Sequence, residues 1–303
     1  VDVKALGVVD LGHNRFKKLE AHARLLRPDA LGKDISADGL RADLVFDGAF
    51  ETPRIDYDIA AKRFGYGDIR LSGLDAQGRS HKDGAAIIIP VKAKLDSLSG
   101  LGEQVDPLLT HLKLSGELGF DDGKIASKTL KLQSDRLKAT GTVSGDVGKS
   151  AYAADAQVAL NHYTVADLAT LNASTRVKVA YGKSGLSAVG TLNARTTKIL
   201  NDGLARALGG DASLSGGYAY APNGAIAVRG LNLKAPKLTM KGDGGLSKSG
   251  ALSFKASAES ADYGPADLTL SGTFDHLQGA LHAARPGLGA GVVDLAATFE
   301  GVD

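Results

Sequence analysis

The sequence predicts an all-β protein: a long, mainly antiparallel sheet curled into a U-shaped hydrophobic groove, with a few short helices in its connections. Three observations carry this expectation. Apolar and polar residues alternate with period two along almost all of the 303 residues. The connections are short and turn-like, as in "DAQG", "FDDG", "YGKSG" and "APNG", and suit antiparallel hairpins. Bulk is scarce: aromatics make up 5% of the chain, Trp is missing, and 39 residues are Gly, against a usual share of about 7%.

The strands follow in order. "KLEAHARLL" sets Leu19, Ala21, Ala23 and Leu25 against Lys18, Glu20, His22 and Arg24. "LRADLVFDGAF" sets Ala42, Leu44, Phe46 and Phe50 against Arg41, Asp43 and Asp47, and "RIDYDIAAK" sets Ile55, Tyr57 and Ile59 against Arg54, Asp56 and Asp58. "AAIIIPVKAKL" puts Ile87, Ile89, Val91, Ala93 and Leu95 opposite Lys92 and Lys94. The same pattern returns in "HLKLSGELGF", "TLKLQS", "RVKVAYG", "ALSFKASAES", "DLTLSGTF" and "VVDLAATFE". It amounts to about 19 strands of roughly 7 to 11 residues, each with one apolar and one polar face. Short helices are expected in "SLSGLGEQVDPLLTHL" around residues 97–112, in "TVADLATLN" with Thr164 as N-cap, and in "TKILNDGLARALGG" ending on Gly209. The stretches from Thr129 and from Gly230 share one layout: a Leu-x-Leu strand, a second strand, a Gly-rich turn and a third strand. Such repetition suits an array that grows by adding strands. No linker divides residues 1–303, which read as one continuous segment of a longer protein.

Composition excludes several function classes. Lys+Arg 36 against Asp+Glu 34 gives a net charge of +2, with short mixed runs that make no basic groove for nucleic acid. There is no Cys, hence no disulfide framework and no thiolate metal site. "SGDVGKS", Ser144 to Ser150, resembles a phosphate-binding loop, but Val143 stands where the motif needs its first Gly and a strand-like run follows where it needs a helix. It reads as a hairpin turn with Lys149 in solvent, so no nucleotide is expected. "GLGAG" at residues 287–291 lacks dinucleotide spacing. The seven histidines form no HxH or HxxxH pair, and no G-x-S-x-G elbow occurs. No catalytic residue, metal or cofactor is assigned, and the chain is read as non-enzymatic.

What remains is the apolar face. A sandwich or barrel would need bulk to fill it. The inward positions are instead rich in Ala and Gly, among them Ala21, Ala23, Ala139, Gly141, Ala154, Ala156, Ala188, Gly190, Gly216, Ala256, Ala258 and Gly272. A long sheet lining a groove fits better, extending about 90 Å for 19 strands. Phospholipid acyl chains would satisfy such a lining. The expected lining residues in the first half are Ile55, Tyr57, Ile59, Ile69, Leu71, Ile87, Ile89, Val91, Leu112, Leu114, Leu130 and Leu132. In the second half they are Val177, Val179, Ile226, Val228, Leu252, Phe254, Leu268, Leu270, Val293 and Leu295. Two rival readings use the same strands: a chaperone whose edge strands template incoming β-chains, and a filled-core structural module without ligand.

Three phrases carry a family resemblance: "LVFDGAFETPRIDYDIAAKRFGYGDIRLSGLDAQG", "GKIASKTLKLQSDRLKATGTVSG" and "LSGTFDHLQGALHAARPGLGAGVVDLAATFEG". Their G-x-φ strands, "P-x-φ-D-Y" strand start and "L-x-x-L-x-A-x-G" pairs, with φ an apolar residue, resemble the TamB family within the AsmA-like group. The texture extends over essentially the whole chain, without that family's N-terminal membrane anchor. The resemblance implies a periplasmic β-groove in a Gram-negative envelope. It also implies movement of phospholipid between the membranes, help in outer-membrane protein assembly, and an outer-membrane barrel protein as partner.

Overall fold

The computed structural model describes residues 1–27, 35–102, 106–284 and 291–300. The fold is all-β with antiparallel ladders, and its contacts divide the chain into two compact units, Val1–Tyr152 and Ala153–Asp303. The division falls inside a strand rather than in a linker.

In the first unit the strands are β1 (Asp2–Asp10), β2 (Arg15–Arg24), β3 (Ile35–Asp38), β4 (Arg41–Ala49), β5 (Arg54–Tyr66) and β6 (Ile69–Asp83). They continue as β7 (Ala86–Ser99), β8 (Thr110–Asp121), β9 (Lys124–Ser127), β10 (Leu130–Gln133) and β11 (Leu137–Asp146). Most strands pair with the next in sequence. Two short pairs act as single interrupted strands: β3 and β4 both lie against β5, and β9 and β10 both lie between β8 and β11. Among the described residues, β1 is hydrogen-bonded along one edge only, to β2.

β12 (Ala151–Val165) spans the division. Beyond it come β13 (Ala169–Gly182), β14 (Gly185–Ile199), β15 (Ser213–Tyr220), β16 (Ile226–Lys234) and β17 (Leu238–Leu246). The second unit ends with β18 (Leu252–Ser260), β19 (Gly264–Thr273), β20 (His276–Ala283) and β21 (Val293–Glu300). From β13 on, each strand pairs with the next in an unbroken antiparallel meander. The two repeated stretches share a turn. Ser134 N–H donates to Leu137 O and Ala235 N–H donates to Leu238 O, each at 2.8 Å, just where β11 and β17 begin.

One of the three expected helices forms. α1 (Asp202–Leu208) is capped by Asn201, whose side chain accepts from Leu204 N–H, and ends on Gly209 at φ 71°. It is shorter than the motif suggests, because Thr197–Ile199 belong to β14. "TVADLATLN" is a correction: it is the end of β12, a turn with Asp167 at φ 57°, and the start of β13. Its apolar residues continue the sheet face, so tertiary pairing overrides the helical spacing. Around residues 97–112 the described residues form only a single 3₁₀ turn, Asp106–Leu108. The Asp106 carboxylate accepts from the backbone N–H groups of Gly100 and Leu101, each at 3.0 Å, holding the connection in that turn. The strands number 21 rather than about 19, because interrupted strands count twice.

"SGDVGKS" runs from the end of β11 into the turn before β12. Lys149 N–H and its ammonium both bond the Asp146 carboxylate, at 3.0 and 3.1 Å, and Ser150 takes φ 49°. The Lys149 side chain is 78% exposed. "GLGAG" lies outside the described residues except for Gly291.

Candidate functional site

The ladders align the apolar positions into rows that cross the strands. In the first unit one row runs Phe46, Ile55, Ser80, and a second runs Ala42, Ile59, Ala76, Ala93, Leu114, Leu132, Ala139. Ile87 faces Phe120, and Ile89 faces Leu118. In the second unit Val177, Gly190, Tyr218, Val228, Gly244, Phe254, Leu270 and Gly279 form one row. Ala256, Leu268, Leu281 and Leu295 lie on another. Lys92 and Lys131 fall between these rows on the strands and are exposed.

Of the expected lining residues, Leu112 is buried, and Ile69, Ile87, Ile226 and Leu295 are exposed. The remainder, including Ile55, Tyr57, Leu71, Val91, Leu130, Val179, Leu252 and Val293, are half-buried. Half-burial is the informative value. A closed sandwich or barrel of Leu, Ile and Phe would seal its largest side chains completely. Among the described residues no large side chain is fully buried, and most of the buried apolar residues are alanines. Among the described residues the apolar rows of each unit are therefore only partly covered.

Two devices keep the face apolar and even. The first sets large side chains over glycines of the neighbouring strand. Tyr57 on β5 crosses Gly78 on β6 and donates its hydroxyl hydrogen bond to the Pro90 carbonyl on β7. Tyr218 on β15 crosses Gly190 on β14 and meets the Thr175 hydroxyl on β13 at 2.7 Å. Phe254 covers Gly244 in the same way. Each tyrosine thus lies along the sheet with its polar end satisfied, and burial pushes the Tyr57 phenol above its usual pKa. The sequence marks these positions only as glycines of inward parity; the crossing requires the register.

The second device is a crease in the first unit. Gly39, between β3 and β4, Gly73 in β6 and His111 in β8 take φ 63°, 61° and 49°. The register is the same on both sides of the crease. Across it, apolar residues three apart share a face where two apart is the rule: Ala61 and Phe64, Leu74 and Leu71, Leu95 and Leu98, Leu112 and Leu109. Leu109 and Leu112 are both buried, while Ser72 and Ser97 bond each other on the opposite side at 2.7 Å. The crease is what returns Ile69 and Leu71 to the apolar face, since strict alternation from Leu74 would put them on the polar one.

The polar face is knitted by cross-strand charge pairs: His22–Asp43 at 2.6 Å, Arg63–Asp38 at 3.0 Å, His111–Asp135 at 2.7 Å and His282–Asp294 at 2.5 Å. Hydrogen bonding from His22 lowers the Asp43 pKa. Asp135 and Asp294 raise those of His111 and His282. Concavities also lie on this face, between outward side chains. One of about 550 Å³ spans β12 to β16, and one of about 570 Å³ is lined by Ser36, Asp38, Arg63, Arg70, Ser72 and Ser97. Sequence reading missed both. No group of three metal-ligating side chains occurs among the described residues, and none of their helices is long and apolar enough to cross a membrane.

Comparison with protein-family models, with curated proteins and with solved structures finds no match.

Proposed function

We propose that the chain is a non-enzymatic carrier surface whose uncovered apolar face holds the acyl chains of phospholipid. One observation carries this reading: rows of Leu, Ile, Val and Phe cross many strands and stay only half-buried among the described residues. An apolar area of this extent marks an interaction surface. Acyl chains suit it because they need no hydrogen bonds, and the face offers few: its tyrosine hydroxyls on β5 and β15 are already paired. The resemblance in texture to the TamB family supports the same reading. It extends the proposal to a periplasmic setting between two membranes, with an outer-membrane barrel protein as partner of the full chain.

The test is site-specific photo-crosslinking in cells or with phospholipid vesicles. Lipid adducts at Ile89 and Leu132, with none at Lys92 or Lys131 on the other face, support the proposal. Equal labelling of both faces overturns it.

A second reading has its own support. Among the described residues β1, of nine residues, bonds β2 alone, and Val3, Leu6, Val8 and Val9 on it are all exposed. Such an edge can add an incoming strand. Ala5→Pro should abolish β-chain capture while sparing lipid adducts at Ile89; capture that survives the substitution sinks this reading.

A further inference from the structure

We infer that the polar face of the second unit binds a linear glycan carrying a carboxylate on every second sugar. The site is the concavity of about 550 Å³ over β12 to β16. Two rows cross it. Ser174, Asn193, Ser215 and Asn232 are directly opposite one another on β13, β14, β15 and β16. One step along the strands, Asn172, Arg195, Ser213 and Lys234 make the second row.

The first row is neutral and offers amides and hydroxyls. Ser174, Ser215 and Asn232 are half-buried, yet their side chains have no hydrogen-bond partner within the described residues. Asn161, at the β12 end of the concavity, is in the same state. Their polar atoms still reach solvent, so a ligand of matching polarity can replace the water they meet. Hydroxyl and N-acetyl groups of a sugar chain can both donate to and accept from Asn and Ser.

The second row supplies the charge. On the polar face Arg63 is held by Asp38 at 3.0 Å, whereas Arg176 and Lys178 reach Asp155 only at 3.9 Å. Here Arg195 has only Asp211, at 3.9 Å, and Lys234 has no carboxylate partner among the described residues. The two cations sit two strands apart, about 9.6 Å. Alternate residues of a linear pyranose chain match that spacing. The whole concavity spans about 19 Å across five strands, longer than one sugar, which favours a polymer over a single head group. No aromatic side chain lines it, so base stacking has no platform. The face is opposite to the apolar rows, so the inference stands or falls independently of acyl-chain binding.

Calorimetric titration of the whole 303-residue chain with a hyaluronan octasaccharide, which alternates glucuronate with N-acetylglucosamine, tests this. Binding is expected at low salt. Lys234→Glu and Asn232→Leu should each weaken it about tenfold, the size of one charge-assisted hydrogen bond. Lys255→Glu, on the same face but outside the concavity, should leave it unchanged, with far-UV circular dichroism and melting temperature confirming the fold of each variant. Chitohexaose, which has N-acetyl groups and no carboxylates, should bind at least tenfold more weakly. The inference is overturned if hyaluronan does not bind, if chitohexaose binds equally well, or if a polyglutamate peptide matches hyaluronan and so reports charge alone.

Discussion

Tyr57 lies across Gly78, and the pair fixes how three strands meet on the apolar face. A Cβ at Gly78 would fall 2.6 Å from Tyr57 Cζ and closer still to the Pro90 carbonyl oxygen, so a side chain there must displace the ring and the neighbouring backbone of β7 and break the bond between them. Tyr218 and Gly190 repeat the arrangement, with a Cβ 2.7 Å from Tyr218 Cζ. Glycine here provides room for an aromatic ring laid flat, which gives a level floor where an upright ring would form a ridge.

Gly78→Val and Gly190→Val are therefore expected to destabilise by about 1–3 kcal/mol, as overpacking does. Tyr57→Phe should cost about 1 kcal/mol, the net value of one hydrogen bond. Urea unfolding checks both. A cost of Gly78→Val that persists undiminished in the Tyr57→Ala background would show that the ring is not the obstacle.

The crease makes a separate prediction. Gly73 at φ 61° sits beside Asp96, and His111 takes φ 49° without being glycine. Gly73→Ala should cost about 1–2 kcal/mol from left-handed backbone strain alone. His111→Gly relieves the same strain and loses the Asp135 pair, so the two effects nearly offset. Urea midpoints of the two variants should differ clearly, with Gly73→Ala the lower.

Much of the fold was legible in the residues, because alternation such as that of Ile55, Tyr57 and Ile59 against Arg54, Asp56 and Asp58 has only one structural meaning. α1 was legible from Asn201 and Gly209, its two caps. "TVADLATLN" misled because a hairpin with a left-handed Asp167 places Val165, Leu168 and Leu171 at helix-like spacing. The apolar positions of the candidate site were legible by parity, up to the crease, where Gly73 shifts the count by one. The crossing of Tyr57 over Gly78 and the double row around Asn232 were not, since both depend on register between strands. Nothing in a single strand records its partner's alignment.

Charge pairs on the polar face give the pH dependence. His111 and His282 have raised pKa values in the folded chain, because Asp135 and Asp294 hold the protonated ring. A raised folded value means a contribution fully present below the unfolded pKa of about 6.5 and lost as pH rises through the higher folded value. Asp10 is the opposite case. Lys17 and His13 hold its pKa at about 2, below the usual 3.8, so its contribution is present above 3.8 and disappears as pH falls towards 2. Both histidines are exposed and Asp10 is half-buried on the surface strand β1, so the effects are small and salt-sensitive. The urea midpoint should fall slightly from pH 6 to pH 8, and the fall should shrink in a His111→Asn, His282→Asn variant. An unchanged slope in that variant places the titration elsewhere.

The half-burial of the apolar rows predicts a contrast between two leucines. Leu112 is 3% exposed and sits next to His111 at the crease. Leu270 lies between Phe254 and Gly279 in the open rows of the second unit and is half-buried. Removing a buried leucine costs transfer energy and leaves a cavity, about 2–5 kcal/mol. On an uncovered face there is no cavity to leave, and part of the side chain was already in water. Leu112→Ala should therefore cost about 2–4 kcal/mol, while Leu270→Ala costs about 1 kcal/mol or less. Bound phospholipid should widen the effect at Leu270, because a ligand that covers the face adds its binding energy to the folded state alone. Urea unfolding of both variants, before and after delipidation, measures this. Equal large costs at both positions without lipid would mean that the face is closed, and the carrier proposal would fall with it.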